Sequence, residues 1–259
     1  MEYFYNIINE LKKLPNCVAI TLGGSRATGV NDSKSDFDCY VYYDEKIPLD
    51  VRRNIMESSC KYTEIGVNYF EEEDDCILNS GIIIELIYRN INDFSSYVDN
   101  VLENNNASLG YSTCFFDNVV SAKILHDQNE WYENIKNKLK NYPTILQKNI
   151  IKLNYEMLHG VIASYDEQII KAYQREDMVS VNHRIAAYLA SYFDIIYAAN
   201  LVYHPGEKRM VDLVKKKCMN IPIDFENNIS KLLKQEDIVN TLNNIYNNLS
   251  LMLKNLNLI

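Results

Sequence analysis

The sequence predicts an α+β protein, in which a mixed-sheet N-terminal region is followed by a C-terminal helical bundle. Two observations lead to this class. Up to about residue 126, short apolar runs of strand length alternate with amphipathic helical segments. Beyond that point, most segments repeat their apolar residues at the 3.6-residue period of a helix. We therefore expect two domains, covering residues 1–126 and residues 127–259.

The chain begins with a helix and a strand. Residues 3–13 carry apolar side chains at a helical spacing, and Pro15 closes this helix. The apolar run Cys17–Leu22 then predicts a strand. It leads into a turn of small residues, Gly-Gly-Ser at positions 23–25. Such a turn offers bare backbone N–H groups and a hydroxyl, which suit an anion such as phosphate.

A second extended run covers residues 35–42 and contains two aspartates, Asp36 and Asp38. Side chains alternate between the two faces of a strand, so both carboxylates are expected on one face and Phe37 on the other. Two neighbouring carboxylates repel each other unless a cation lies between them, and Mg²⁺ is the usual candidate. The two runs together predict a site for a metal and a phosphate.

The middle of the first region is less regular. Pro48 precedes a predicted helix over residues 49–60, and residues 61–70 alternate loosely, as in a strand. Five acidic residues follow at positions 71–75. A charge run of this kind is most often a solvated loop, and we favour that interpretation. The alternative is a negative wall that attracts a cationic substrate.

The run over residues 81–89 is apolar on both faces apart from Glu85 and predicts a central buried strand. Burying a carboxylate without a partner costs on the order of several kcal/mol. Glu85 is therefore expected to join the two aspartates as a metal ligand or base. The alternatives are an exposed strand position or an ion pair with Arg89. A helix is predicted to follow over residues 93–103, with Asp93 as its N-cap.

This order of elements resembles the nucleotidyltransferase superfamily that includes the aminoglycoside and lincosamide nucleotidyltransferases. The shared pattern is a strand, a Gly-Ser turn, about ten residues, an Asp-x-Asp strand, and a third carboxylate on a later strand. The resemblance implies a catalytic and metal-binding set made of Asp36, Asp38 and Glu85, with two Mg²⁺ ions. It implies ATP or another nucleoside triphosphate as co-substrate. The phosphates would be held by Gly24 and Ser25, with Arg26 neutralising their charge.

The C-terminal half is predicted to be a bundle of four helices. One long helix is expected over residues 143–173 and a second over 179–203, with further helices at 131–140 and 238–256. The segment 204–206, His-Pro-Gly, must end the second helix, and Lys208 and Arg209 follow it. The residues alone favour a plain helix end with basic neighbours. The resemblance implies instead that a basic residue of this domain binds the triphosphate, with Lys208 the first candidate and Arg209 the second.

Composition limits the choice of partner. The chain has 26 basic and 35 acidic residues, with a net charge of −9. This balance argues against nucleic acid as a partner and suits a cationic small molecule. The six cysteines show no Cys-x-x-Cys spacing and are expected to be reduced. Neither a signal peptide nor a membrane-spanning run is recognised, so a cytoplasmic protein is expected.

The sequence therefore predicts an enzyme that transfers a nucleoside monophosphate, with AMP from ATP as the first choice. The acceptor would be a hydroxyl group of a small cationic molecule such as an aminoglycoside antibiotic, and the resemblance implies a role in antibiotic resistance. One alternative is a toxin-like enzyme that modifies RNA or a protein hydroxyl. Another is a catalytically inactive regulatory module that binds nucleotides. The oligomeric state is left open.

Overall fold

The computed structural model describes residues 1–29, 32 and 35–259. The chain divides into two compact units. The first unit consists of Met1–Asp99 with Asn118–Asn141, and the second of Asn100–Asp117 with Tyr142–Ile259. A mixed sheet is followed by helices, so the predicted α+β class is confirmed. The domain boundary after residue 126 stays a prediction.

The first unit is built on a mixed sheet, which has six strands in the described part of the chain. The strands are β1 (Cys17–Leu22), β2 (Phe37–Tyr43), β3 (Cys60–Val67), β4 (Glu72–Leu78), β5 (Ile83–Asn90) and β6 (Lys123–Asp127). Their order across the sheet is β3-β4-β5-β2-β1-β6. The pair β2 and β5 is parallel, and the other neighbouring pairs are antiparallel.

Five helices accompany this sheet in the described residues: α1 (Glu2–Leu11), α2 (Gly24–Thr28), α3 (Leu49–Glu57), α4 (Ile91–Leu102) and α6 (Trp131–Lys138). The core includes the apolar face of α1 and the inward residues of β2, and Phe4 stacks on Phe37 with ring centroids 4.1 Å apart. Helix α4 begins before the expected Asp93 cap, because Asn90 accepts backbone hydrogen bonds from residues 92 and 93. Helix α5 (Cys114–Ser121) has residues in both units.

Helix α6 packs on the sheet and does not join the bundle as the sequence predicted. Its buried Tyr132 lies beside Tyr42 of β2, with ring centroids 5.2 Å apart. Phe94 and Trp131 complete this aromatic layer around Tyr42. The layer covers part of the sheet face opposite α1. The helical period of residues 131–138 was correct, but a period does not identify the surface against which a helix packs.

The five acidic residues at positions 71–75 do not form the solvated loop that we favoured, because β4 begins at Glu72. Two alternate side chains of this strand share one basic partner. Asp74 is fully buried and pairs with Arg52 of α3 at 3.1 Å, while Glu72 pairs with the same guanidinium at 2.9 Å. Arg52 itself is 1% exposed and lies over the Tyr88 ring. A buried cation thus draws two carboxylates of the run into the fold.

The second unit is helical in its described residues. Its longer helices are α7 (Thr144–Leu158), α8 (Tyr165–Gln174), α9 (Met178–Ala199), α10 (Met210–Lys217), α11 (Phe225–Leu233) and α12 (Ile238–Asn255). The single helix predicted over residues 143–173 is two helices, because the chain breaks at Gly160, whose φ of +94° lies in the left-handed region. The predicted helices over 179–203 and 238–256 correspond to α9 and α12. No helix of the described chain is long and apolar enough to cross a membrane.

Candidate active site

The strand register places Asp38 of β2 directly beside Glu85 of β5. Neighbouring residues in register on adjacent strands project to the same face of a sheet, so the two side chains share one face. Both residues are partly exposed, and Glu85 is therefore not a fully buried charge. Asp36 was predicted within the strand but lies one residue before its start at Phe37.

The three predicted carboxylates influence one another electrostatically. The pKa of Glu85 is raised, first by its partial burial and then by the negative charges of Asp38 and Asp36. Repulsion among like charges favours the protonated form of a carboxyl group. A bound cation would reverse this effect, because it favours the ionised forms. The predicted catalytic set therefore shares one region of negative potential.

Gly24 lies against Asp38. Its φ is +61°, and a Cβ atom at this position would stand 1.7 Å from Asp38 Oδ2. Only glycine fits such an approach. The preceding residue strengthens the contact, because the Gly23 N–H donates a hydrogen bond to the Asp38 carbonyl at 2.7 Å. Ser25 follows in the first turn of α2 and is partly exposed. The predicted phosphate turn and the Asp-x-Asp strand are therefore held together.

The Arg26 side chain donates hydrogen bonds to the backbone just before β2. Its Nε donates to the carbonyl oxygens of Ser35 and Asp36, at 3.0 and 2.8 Å, and its Nη2 also donates to Ser35. The guanidinium carbon lies 4.0 Å from the centroid of the Phe37 ring. The sequence predicted a phosphate contact for this residue and gave no sign of these internal bonds, because the acceptors are backbone atoms.

The acidic face continues onto β4 and β3, which the sequence analysis did not identify. Asp75 lies across from Glu85, and Glu64 lies across from Asp75. Glu73 is two residues from Asp75 on the same strand and so faces the same way. Burial raises the pKa of both, with a further increase from Glu64 for Asp75 and from Asp75 for Glu73. We call Glu64, Glu73, Asp75 and Glu85 the acidic row. Period-two alternation within residues 71–75 was the signal that could have located it.

Arg89 does not provide the pairing that was considered as an alternative for Glu85. Its guanidinium makes two hydrogen bonds to the carboxylate of Glu71, at 2.7 and 2.8 Å. It also lies over the ring of Tyr40, at 4.6 Å from the centroid. Glu85, a member of the acidic row, is therefore not held by Arg89 and stays available to bind a ligand.

The donor chemistry of this face fits a hard divalent cation, because Asp36, Asp38 and Glu85 supply carboxylate oxygens within one negative region. The Asp38 carboxylate, one of these donors, occupies the space beside the Gly24 Cα atom that a side chain would otherwise fill. Within residues 1–29, 32 and 35–259, no three His, Cys, Asp or Glu side chains are already arranged as a metal centre.

The two basic candidates lie in the second unit. Lys208 and Arg209 are exposed in the turn before α10, and Arg209 has a φ of +55°. Their assignment to the triphosphate stays a prediction. His204, which ends the preceding segment, is fully buried, and burial lowers its pKa to about 4. It is neutral at physiological pH, so the turn gains no charge from it.

The family assignment follows from the sequence model that covers the site. Residues 5–105, which include all three carboxylates and the glycine turn, match the nucleotidyltransferase domain family. This part of the chain is a nucleotidyltransferase domain. Its class of enzyme is accordingly that of the nucleotidyltransferases. Residues 115–210 match a second family, described as a domain of unknown function, DUF4037.

Comparison with solved structures gives three similar chains, all of low identity. A nucleotidyltransferase-like protein from Exiguobacterium sibiricum is 13% identical, with 98% of this chain and 74% of that chain covered, at a TM-score of 0.49. An aminoglycoside 6-adenyltransferase from Bacillus subtilis is 9% identical, with coverages of 97% and 89% and a TM-score of 0.34. A STING-associated CdnE c-di-GMP synthase from Capnocytophaga granulosa is 13% identical, with coverages of 99% and 82% and a TM-score of 0.27.

No protein of curated function matches this nucleotidyltransferase in sequence. Likenesses at the TM-scores above carry no substrate or partner over to it. The family supports a nucleotide substrate and a divalent metal in general terms. The nature of the acceptor must therefore be argued from the residues of the site.

Proposed function

We propose that this nucleotidyltransferase moves a nucleoside monophosphate, AMP from ATP, to a hydroxyl group of a small cationic acceptor and releases pyrophosphate. An aminoglycoside-type antibiotic is the acceptor class that we favour. The observation that carries the proposal is the register of β2 and β5, which sets Asp38 beside Glu85 on an open, acidic face. Nucleotidyl transfer requires neighbouring carboxylates, because the metal ions that they bind must also contact the nucleotide phosphates.

Asp36, Asp38 and Glu85 would hold two Mg²⁺ ions. When bound, Mg²⁺ supplies charge neutralisation for the phosphates and lowers the pKa of a coordinated hydroxyl. The acceptor oxygen forms a bond to the α-phosphorus, the bond from that phosphorus to the bridging oxygen breaks, and pyrophosphate leaves. Glu85 would accept the hydroxyl proton, since a carboxylate near that oxygen is positioned as a general base.

The phosphates would lie against the turn that carries Gly24 and Ser25. The backbone N–H groups and the serine hydroxyl are donors for phosphate oxygens. Lys208 and Arg209 remain our candidates for a further contact to the triphosphate. Because little covalent chemistry falls to the protein in such a transfer, positioning and charge stabilisation would supply most of the rate.

The acidic row supports a cationic acceptor. Asp75 and Glu73 extend the negative charge away from the catalytic pair along β4, and neither forms an ion pair with a basic side chain in the described part of the chain. The whole chain is also acidic, with a net charge of −9. A cation that carries several amines would be attracted to this face, whereas a nucleic acid would be repelled by it.

The test is pyrophosphate release from each of the four nucleoside triphosphates with Mg²⁺, with and without a panel of aminoglycosides and lincosamides. Wild type is compared with Asp38→Asn, which removes one charge from the site. Asp50→Asn on the exposed side of α3 is the matched control. We expect release that depends on a drug, survives in the control and is lost in Asp38→Asn.

Other outcomes point elsewhere. Release without any drug, equal in wild type and Asp38→Asn, would remove the catalytic assignment. Nucleotide binding that depends on Mg²⁺, with silence across the drug panel, would overturn the small cationic acceptor and direct the search to RNA or protein hydroxyl groups.

A further inference from the structure

We propose that Arg26 is a positioning residue that orients the Asp36 carboxylate toward Asp38 and Glu85, and that it does not bind the nucleotide phosphates. The inference rests on the proposed function, because it takes the three carboxylates as the metal-binding set. It changes the role that the resemblance implied for Arg26. Three features of the described residues carry it.

The first feature is the choice of acceptors. Arg26 donates to the carbonyl oxygens of Ser35 and Asp36, which belong to the two peptide planes on either side of the Asp36 Cα atom. A peptide unit is planar, so two dihedral angles per residue set the backbone. Holding both flanking planes therefore fixes φ and ψ of Asp36. The direction of its Cα–Cβ bond is set as a result, and this restricts the positions that the carboxylate can reach.

The second feature is the support of the guanidinium. It lies over the Phe37 ring, at 4.0 Å from the centroid, and Phe4 stacks on the same ring at 4.1 Å. Two groups this close to one centroid must occupy opposite faces. Phe37 is 1% exposed, so the stack rests on the core of the first unit. A cation over an aromatic face is attracted to it, and the guanidinium is thereby anchored.

The third feature is the position of Arg26 in α2. The same short helix presents Gly24 to the Asp38 carboxylate and Arg26 to the Asp36 backbone. Its own backbone is tied to β6, since Lys123 Nζ donates to the Arg26 carbonyl at 3.1 Å. One element thus touches both aspartates.

These contacts compete with a phosphate role. A phosphate that took the side-on pair of donors, Nε and Nη2, would have to displace the carbonyls that these two atoms now hold. Release of the carbonyls would free the Asp36 backbone at the moment when its carboxylate is needed. The positioning role requires the planar fork of arginine, and lysine cannot replace it, because one ammonium group cannot span both carbonyls in the same geometry.

The experiment compares wild type with Arg26→Lys, with Arg53→Lys on the exposed side of α3 as the matched control. Binding of Mn²⁺ is measured without nucleotide, by electron paramagnetic resonance. Binding of ATP is measured separately in EDTA. Loss of a group that orients a ligand typically weakens metal affinity by about tenfold to a hundredfold. We expect a loss of this size for Mn²⁺ in Arg26→Lys, and ATP affinity in EDTA within about twofold of wild type.

The opposite result, in which Mn²⁺ binding is unchanged and ATP binding is weaker, overturns the proposal. If Arg26→Lys leaves Mn²⁺ affinity intact and weakens ATP but not AMP in EDTA, Arg26 binds phosphate. A third measurement does not depend on the metal: hydrogen exchange at the amides of Phe37 and Asp38. We expect exchange about tenfold faster in Arg26→Lys than in wild type, since loss of ordering contacts lowers the free energy of local opening. Unchanged exchange would refute the positioning role.

Failure of the proposed function would look different. Wild type would then bind no Mn²⁺, or would bind it equally well as Asp38→Asn, while the exchange experiment would still report on Arg26. Thermal unfolding of each variant separates local effects from loss of the fold. Should Arg26→Lys fail to fold, Phe37→Leu, which removes the ring that supports the guanidinium and keeps an apolar side chain in the core, is expected to shift exchange and Mn²⁺ affinity in the same direction.

Discussion

The Cα atom of Gly24 lies so close to the carboxylate of Asp38 that a Cβ atom at position 24 would stand 1.7 Å from Oδ2. Non-bonded heavy atoms do not approach this closely, because 1.7 Å is near the length of a covalent bond. Any side chain at residue 24 must therefore move the aspartate or the turn. Gly24 is required by Asp38 as much as by its own backbone conformation.

Gly24→Ala is expected to abolish most of the activity, because a displacement of about 1 Å at a reacting group costs on the order of a hundredfold in rate. Gly29→Ala is the matched control. Gly29 also has a positive φ, of +76°, but nothing lies within 4 Å of its missing Cβ atom. Both variants should lose about 1 kcal/mol of stability from the left-handed backbone, and Gly24→Ala should lose more because its Cβ atom overlaps the Asp38 carboxylate. Pyrophosphate release and thermal unfolding measure the two effects, and equal activities in the two variants would contradict the contact.

Glu85→Gln is expected to lose activity and to gain stability without metal. The pKa of Glu85 is raised by burial, Asp38 and Asp36, so its ionised form is disfavoured in the fold. The stability linked to its neutral form is present at acid pH and is lost as the pH rises through the raised pKa. An amide stays neutral at every pH. The midpoint of thermal unfolding in EDTA at pH 8 should rise relative to wild type, whereas Glu57→Gln on exposed α3 should leave it unchanged.

Neutralising Asp75 and Glu73 of the acidic row should weaken binding of the acceptor and leave binding of the nucleotide unchanged. Removal of the charges of Asp75 and Glu73 by Asp75→Asn with Glu73→Gln is expected to raise KM for a polyamine-like acceptor by roughly tenfold at low salt, since each partly exposed charge contributes up to about 1 kcal/mol. Screening should shrink this difference at high salt. Steady-state kinetics at two ionic strengths measure both. A rise in the KM of ATP instead would place the nucleotide, and not the acceptor, on β4.

Asp194 makes the second unit sensitive to pH. This side chain is buried in α9, where burial raises its pKa to about 7, and Ser112 donates to it through both its hydroxyl, at 2.7 Å, and its backbone N–H. The raised pKa means that stability is present below about pH 4 and is lost as the pH rises through about 7, a difference of order 4 kcal/mol. Urea unfolding of wild type should show this decline between about pH 4 and 7.

Asp194→Asn should flatten that part of the profile, because the amide does not titrate. Its stability should exceed that of wild type above pH 7, where the buried carboxylate is ionised. A wild-type profile without any decline over this range, or a variant profile as steep as that of wild type, would show that the carboxyl group titrates near its ordinary value.

The Arg52 cluster should behave as a buried ion pair. Arg52→Ala leaves Asp74, which is fully buried, without its cation, and such a loss costs about 3–5 kcal/mol. Lys46 contacts the same Glu72 carboxylate from the exposed side, so Lys46→Ala should cost no more than about 1 kcal/mol. Chemical denaturation of the two variants gives the comparison. Equal costs would mean that Asp74 is satisfied without Arg52.

The sequence predicted the strands of the site well because their signals are local. The alternation around Asp38 and the β-branched run around Glu85 both reflect how a strand buries its own side chains. The register that joins them is a non-local property, and no residue pattern contains it. Only the structure could place Glu85 beside Asp38 and, beyond it, Asp75.

The predictions that were wrong failed for a common reason. The acidic run was taken for a loop because its charge is visible in the sequence, while the buried Arg52 that accommodates it lies about twenty positions away. The helix over residues 143–173 was extended across Gly160 because a single glycine does not interrupt an apolar period. The phosphate role of Arg26 stays a prediction, and its bonds to the carbonyls of Ser35 and Asp36 had no signal in the sequence, because the acceptors are backbone atoms.

Pairing of β2 with β5 also determines when the protein can act. Asp38 and Glu85 come from parallel strands with a helix and a hairpin between them in the chain, so closing that long connection costs entropy before any contact repays it. The carboxylate pair therefore exists only in a chain whose sheet is complete. In a nascent or partly unfolded chain in which β5 has not paired with β2, the aspartates and the glycine turn are present but Glu85 does not lie beside them.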